Sequence, residues 1–100
     1  MLLIVGSTRI KPETREKALA AGAAMAAASL AEPGCRQYGF WTSVDDPNQV
    51  LLFEEWESEE ALQAHFATPH MADFGAVLGE VVDGPFEATK YEVASSGPLF

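Results

Sequence analysis

Basic residues are scarce in this chain: six Lys and Arg stand against fifteen Asp and Glu, a formal charge of −9 over 100 residues. A surface of that sign repels phosphate backbones and anionic lipids, which argues against nucleic-acid and membrane partners. Cysteine is scarcer still. Cys35 stands alone, so no disulfide can form within the chain, and a reducing cytoplasm is the compartment that suits it. Long apolar runs are missing as well. The opening MLLIVGSTR has no basic flank and only a short apolar stretch, which fits neither a signal peptide nor a membrane span. No Gly-rich loop is present to cradle a phosphate, and no haem or metal ligand set is complete. Internal repeats and low-complexity linkers are also absent.

What is there is apolar and evenly spread. The chain is 48% hydrophobic, generous for one domain spanning residues 1–100, and a domain this small has a thin stability margin that association would widen. Leu2 to Val5 is a short apolar run with the character of a buried strand, ending at Gly6-Ser7-Thr8. Pro12 and Glu13 mark a helix start. The Ala-rich segment 13–31 then places Leu19, Ala23, Ala26 and Leu30 on one stripe, with Met25 nearby. Pro33-Gly34 stops that helix. Residues 35–44 are aromatic and β-branched and read as a strand; Asp45-Asp46-Pro47-Asn48 is a turn; 49–57 is a second strand, so 35–57 is expected to be an antiparallel hairpin. Ser58 is an N-cap followed by Glu59 and Glu60. Thr68-Pro69 is a second N-cap with proline in the first helical position, so 58–79 reads as two helical segments with a bend. A last strand covers 86–94.

The order strand, helix, strand, strand, helix, strand is that of a ferredoxin-like βαββαβ α+β fold, with both helical regions on one face of a four-stranded antiparallel sheet. Apolar residues fall on both parities of the strands. Leu52 and Trp56 take one face of the third strand, Leu51 and Phe53 the other. The second face needs a cover, and an identical chain packed sheet to sheet is the simplest one, so a homodimer is expected.

The stretch PGCRQYGFWTSVDDPNQVLLFEEWESEEALQAHFATPHMADF resembles the antibiotic biosynthesis monooxygenase family, within the dimeric α+β barrel superfamily. The pattern runs through Pro33-Gly34-Cys35, Tyr38, Asp46-Pro47, Glu54-x-Trp56, Ala61-Leu62, His65, Thr68-Pro69-His70 and Phe74. The resemblance implies a ferredoxin-like monomer whose sheet closes a barrel with that of its partner, with a pocket between sheet and helices. It implies oxygenation of quinols, anthrones and related phenols without flavin, haem or metal. Molecular oxygen is then the co-substrate, because a deprotonated substrate can itself reduce dioxygen. Haem-degrading relatives use a late helical histidine and a first-strand asparagine; here the late position falls near Phe74-Gly75 and the first strand has no asparagine, so haem cleavage is disfavoured.

Within that frame Glu54, His65 and His70 are the candidate catalytic residues, and Trp56, Tyr38, Trp41, Phe66 and Phe74 the candidate contacts to a small aromatic substrate. An in-strand carboxylate on the Trp56 side is costly to bury unpaired, so Glu54 is either a structural acceptor or a base tuned by burial. The helix dipole favours a cation at His65, near a helix end, and a neutral ring at His70, in a first turn. One histidine is thus a candidate acid and the other a candidate base, and either can equally be a satisfied structural residue. The two histidines are five apart across a bend, which is not the usual i, i+4 metal pair. His70 and Asp73 can share a face, but no strong third ligand is evident. Tyr38 and Phe40 share one strand face and Trp41 takes the other; one set suits a pocket and the other an interface. A non-catalytic ligand-binding dimer and a proton-transfer isomerase or cyclase would use the same pocket.

Overall fold

The computed structural model of the protein describes residues 1–100. Strand β1 (Leu2–Arg9) leads through a 3-10 turn (Pro12–Thr14) into helix α1 (Arg15–Leu30). The hairpin β2 (Cys35–Thr42) and β3 (Gln49–Trp56) follows, then α2 (Glu59–Phe66), α3 (Pro69–Val81) and β4 (Glu87–Glu92). The four strands form one antiparallel sheet in the order β2-β3-β1-β4. This is the ferredoxin-like arrangement expected from the order of elements. No helix is long and apolar enough to cross a membrane.

The caps read from the sequence are formed. Ser58 Oγ accepts from the Ala61 N–H at 3.2 Å, and Thr68 Oγ1 accepts from the Met71 N–H at 3.3 Å. In the hairpin turn Asp46 accepts from the Asn48 N–H at 3.0 Å and pairs with Arg9 at 2.7 Å.

Two local expectations are corrected. β1 does not stop at Val5 but runs on to Arg9, because Gly6, Ser7 and Thr8 are paired on the β3 side and Gly6 and Ser7 on the β4 side as well. Gly6 serves packing here: a Cβ at that position would lie 3.1 Å from the Phe86 ring and from the Glu87 carbonyl oxygen. The buried stripe of α1 is Gly22, Met25 and Ser29, while Leu19 and Leu30 are exposed. The bare backbone at Gly22 admits the Phe40 ring, whose Cδ2 would be 3.2 Å from a Cβ there. Leu19, one turn before Gly22, borders a cavity together with Gly22 and Phe40.

Leu2, Ile4, Tyr38, Leu52 and Trp56 face the helices and join Met25 and Leu62 in one core cluster. The opposite sheet face carries no helix. Its rows, read from the register, are Trp41–Leu51–Ser7–Glu87, Gly39–Phe53–Val5–Thr89 and Gln37–Glu55–Leu3–Tyr91. Trp41, Leu51 and Tyr91 are 51%, 43% and 52% exposed. Trp41 folds back across Gly39: a Cβ at 39 would sit 2.7 Å from the tip of the indole.

A sheet face that leaves Trp41, Leu51 and Tyr91 uncovered is where a second copy is expected to sit. Sedimentation at micromolar concentration should give twice the 10.7 kDa chain mass, and Leu51→Glu, which plants a carboxylate in that face, should shift the sample to monomer. A wild-type monomer under the same conditions would remove the barrel from the account.

Candidate functional site

The α2–α3 break sets up the site. Pro69 has no N–H to continue a helix, Thr68 caps the new one, and the Thr68 hydroxyl also donates to the His65 carbonyl at 2.7 Å. His65 closes α2 and His70 opens α3, and the bend brings their rings to 5.9 Å between centroids. Both meet Glu32, in the connection between α1 and β2. Glu32 Oε2 lies 2.7 Å from His65 Nδ1 and 2.7 Å from His70 Nε2. A carboxylate only accepts, so each of those nitrogens carries the proton it shares. In the neutral ring, His65 then has Nε2 as its unprotonated nitrogen.

His65 is 1% exposed and lies between aromatic neighbours: Trp56 at 4.7 Å and Tyr38 at 5.5 Å between ring centroids. The Trp56 N–H donates to Glu54 Oε1 at 2.8 Å. Burial raises the Glu54 pKa above the ordinary carboxylate value; the Trp56 hydrogen bond opposes this, as does His65. Burial likewise pushes the Tyr38 phenol far up, with Glu54 adding to the effect, so Tyr38 stays un-ionised. Cys35 is pushed up to about 11 by burial and by Glu32 and Glu54. A thiol in that state is a poor nucleophile.

A cavity of about 430 Å³ lies between the sheet, α2 and α3. Its walls are apolar (Ile4, Leu52, Leu62, Met71, Phe74 and Phe86 among them), with Tyr38, Glu54 and His65 as polar lining. Lys90 and Glu59, paired at 2.9 Å, line its outer part. Phe66 also lines it and is half exposed. A second cavity of about 310 Å³ lies beside α1 and β2; Phe74, Leu78 and Phe86 line both.

Of the residues singled out from sequence, the structure thus brings Glu54, His65, Tyr38, Phe66 and Phe74 onto one cavity. Three lie elsewhere. Trp56 is fully buried behind the wall, and its N–H is already given to Glu54, so it orients the carboxylate instead of stacking on a ligand. His70 reaches the site only through Glu32. Trp41 borders the second cavity and the open sheet face. Glu32 was not read from sequence at all. It stands 33 residues before His65 in an irregular connection, where no periodicity marks it; the only hint was that two histidines beside a core require an acceptor.

Comparison with known proteins gives the family of the chain. The family model described as "Antibiotic biosynthesis monooxygenase" matches residues 1–77. The chain belongs to this family. Among its relatives is the Mycobacterium tuberculosis protein named "Putative monooxygenase Rv0793", 34% identical over 79 residues, which are 79% of this chain and 77% of that one. Another is the Escherichia coli protein named "Probable quinol monooxygenase YgiN", 31% identical over 83% of this chain and 90% of that one. The solved structure of Rv0793 superposes with a TM-score of 0.88 at 28% identity, covering 97% of this chain and 98% of that chain. A family structure from Deinococcus radiodurans reaches 0.91 at 22% identity over 100% of this chain and 99% of that one, a likeness of fold.

Two outcomes are expected from the buried network. Glu32→Ala leaves both histidines without their acceptor and should cost about 1–3 kcal/mol, read as a lower melting temperature. Glu54 works the other way. Its folded value lies above the unfolded one, so the folded chain holds this proton more tightly and acid favours the fold. The penalty grows as pH rises through the ordinary carboxylate range and is complete above the raised value. Glu54→Gln, which can still accept from Trp56, should raise the melting temperature at neutral pH and leave it unchanged in acid below that range.

Proposed function

We propose that the protein is a monooxygenase that oxidises a small aromatic phenol, quinol or polyketide-like ring with molecular oxygen as co-substrate. In this reading it uses no flavin, haem or resident metal and works as a cytoplasmic homodimer. The observation that carries the reading is the cavity: apolar walls wide enough for one or two rings, with Glu54 and His65 as its buried ionisable groups. The family, and relatives named as monooxygenases, support the reaction type.

The chemistry asks little of the protein beyond binding and proton transfer. His65, its Nδ1 proton held by Glu32, takes the substrate hydroxyl proton on Nε2. The electron-rich anion then reduces dioxygen. One oxygen atom enters the ring; the other leaves as water, and the ring is oxidised from quinol to hydroxyquinone. Glu54, with its raised pKa, is placed to return or remove a second proton. Tyr38 and Phe74 supply ring faces, and the buried Ile4, Leu52 and Leu62 give the cavity's inner wall an apolar surface.

The test is oxygen uptake with a panel of naphthalene and anthracene phenols. Consumption of one dioxygen per substrate, unchanged after dialysis against a chelator, is the expected result. His65→Gln should lower turnover about 10²–10⁴-fold while circular dichroism stays native. Thermal stabilisation by the same phenols without oxygen uptake would favour a binding protein, and substrate isomerisation without uptake a proton-transfer catalyst.

A further inference from the structure

We infer that Glu32, His65 and His70 form a binding site for a borderline divalent cation of the zinc type. Their ligating atoms, His65 Nδ1, His70 Nε2 and a Glu32 carboxylate oxygen, all lie within 4.8 Å of one another. Two imidazole nitrogens and one carboxylate oxygen are the donor set that suits zinc and its first-row neighbours; magnesium and calcium require oxygen ligands. Ligands about 2.1 Å from a tetrahedral ion stand about 3.4 Å apart. The two nitrogens are now each 2.7 Å from the shared oxygen, and the three atoms lie within 4.8 Å, so admitting the ion requires Glu32 to withdraw by about 1 Å and the two ring nitrogens to stand about 3.4 Å apart.

The site is preorganised where it matters. His65 is fixed by Trp56 and Tyr38, and His70 sits in the first turn of a capped helix. Glu32 ends a flexible side chain and is the ligand free to adjust. The His70 side chain is 25% exposed, which gives the ion a route in from solvent and leaves room for a water as fourth ligand. The chain's charge of −9 favours cation approach. The site lies behind the His65 wall of the cavity, since neither Glu32 nor His70 lines it.

Metal on Nδ1 forces the His65 proton onto Nε2. The nitrogen that accepts in the metal-free protein then becomes a donor. Occupancy would therefore silence His65 as a base and lower turnover; that corollary rests on the proposed function, whereas the binding itself does not.

The experiment titrates zinc and cobalt(II) into the metal-stripped full chain. Calorimetry should give one ion per chain with micromolar affinity. Bound cobalt should show the intense visible bands of a four-coordinate site, and the melting temperature should rise. Glu32→Gln and His70→Gln should each weaken binding by at least the roughly 10–100-fold seen when only an outer partner of a metal ligand is lost. If a variant fails to fold, histidine ring ¹⁵N shifts on the wild-type chain decide: zinc must move His65 and His70. Absence of saturable binding up to millimolar zinc, unmoved histidine resonances, or binding that neither variant weakens would overturn the site. Binding that meets these criteria but leaves turnover intact sustains the site and removes His65 as the base.

Discussion

One carboxylate oxygen holds the functional half of this molecule together. Glu32 Oε2 accepts from the last turn of α2 and the first turn of α3 at once, 2.7 Å from each ring. Without an acceptor, two imidazoles beside a core would carry unpaired polar atoms. With it, the bend at Thr68-Pro69 is tied to the end of α1, and both short helices are held over the sheet by something besides apolar contact. The same bond fixes which His65 nitrogen is protonated, so a fold-stabilising contact also decides what the ring can do chemically.

A second polar pair completes the arrangement from the sheet side. Trp56 takes no part in the cavity wall, yet it gives Glu54 its hydrogen bond and lies against His65. Two acids thus flank His65: Glu32 from a loop bonds it directly, and the buried Glu54 from a strand reaches its neighbourhood through Trp56. Their environments differ. Glu32 is met by two ring N–H groups, whereas Glu54 has one indole N–H and a desolvated pocket that raises its pKa. Groups whose surroundings differ in this way are the raw material for separating acid and base roles within a small site.

Most of the frame was legible in the chain because its signals are local. Ser58, Thr68-Pro69, Pro33-Gly34 and the Asp-Pro turn each act within a few residues, and each marks a boundary in the structure. Alternation on β3 separated Leu52 and Trp56 from Leu51 and Phe53 correctly. The α1 stripe is poorly legible because alanine is equally at home on either side of a helix, and the buried positions include a glycine and a serine that no hydrophobic pattern marks. β1 was cut short because Gly6-Ser7-Thr8 looks like a turn until Phe86 and β4 are known to press against it. For the site, the histidines and Glu54 were visible as polar residues in apolar company. The partner of both histidines was not, since nothing local links a residue after α1 to a helix break more than thirty positions later.

The Trp41 indole lying across Gly39 ties two positions together. With the ring in place, a Cβ at 39 meets its tip at 2.7 Å, so any larger residue there requires the half-exposed indole to swing aside. The effect of a substitution at 39 thus depends on the residue at 41 and on where its side chain lies. The contour of the open sheet face is therefore set by the two positions together.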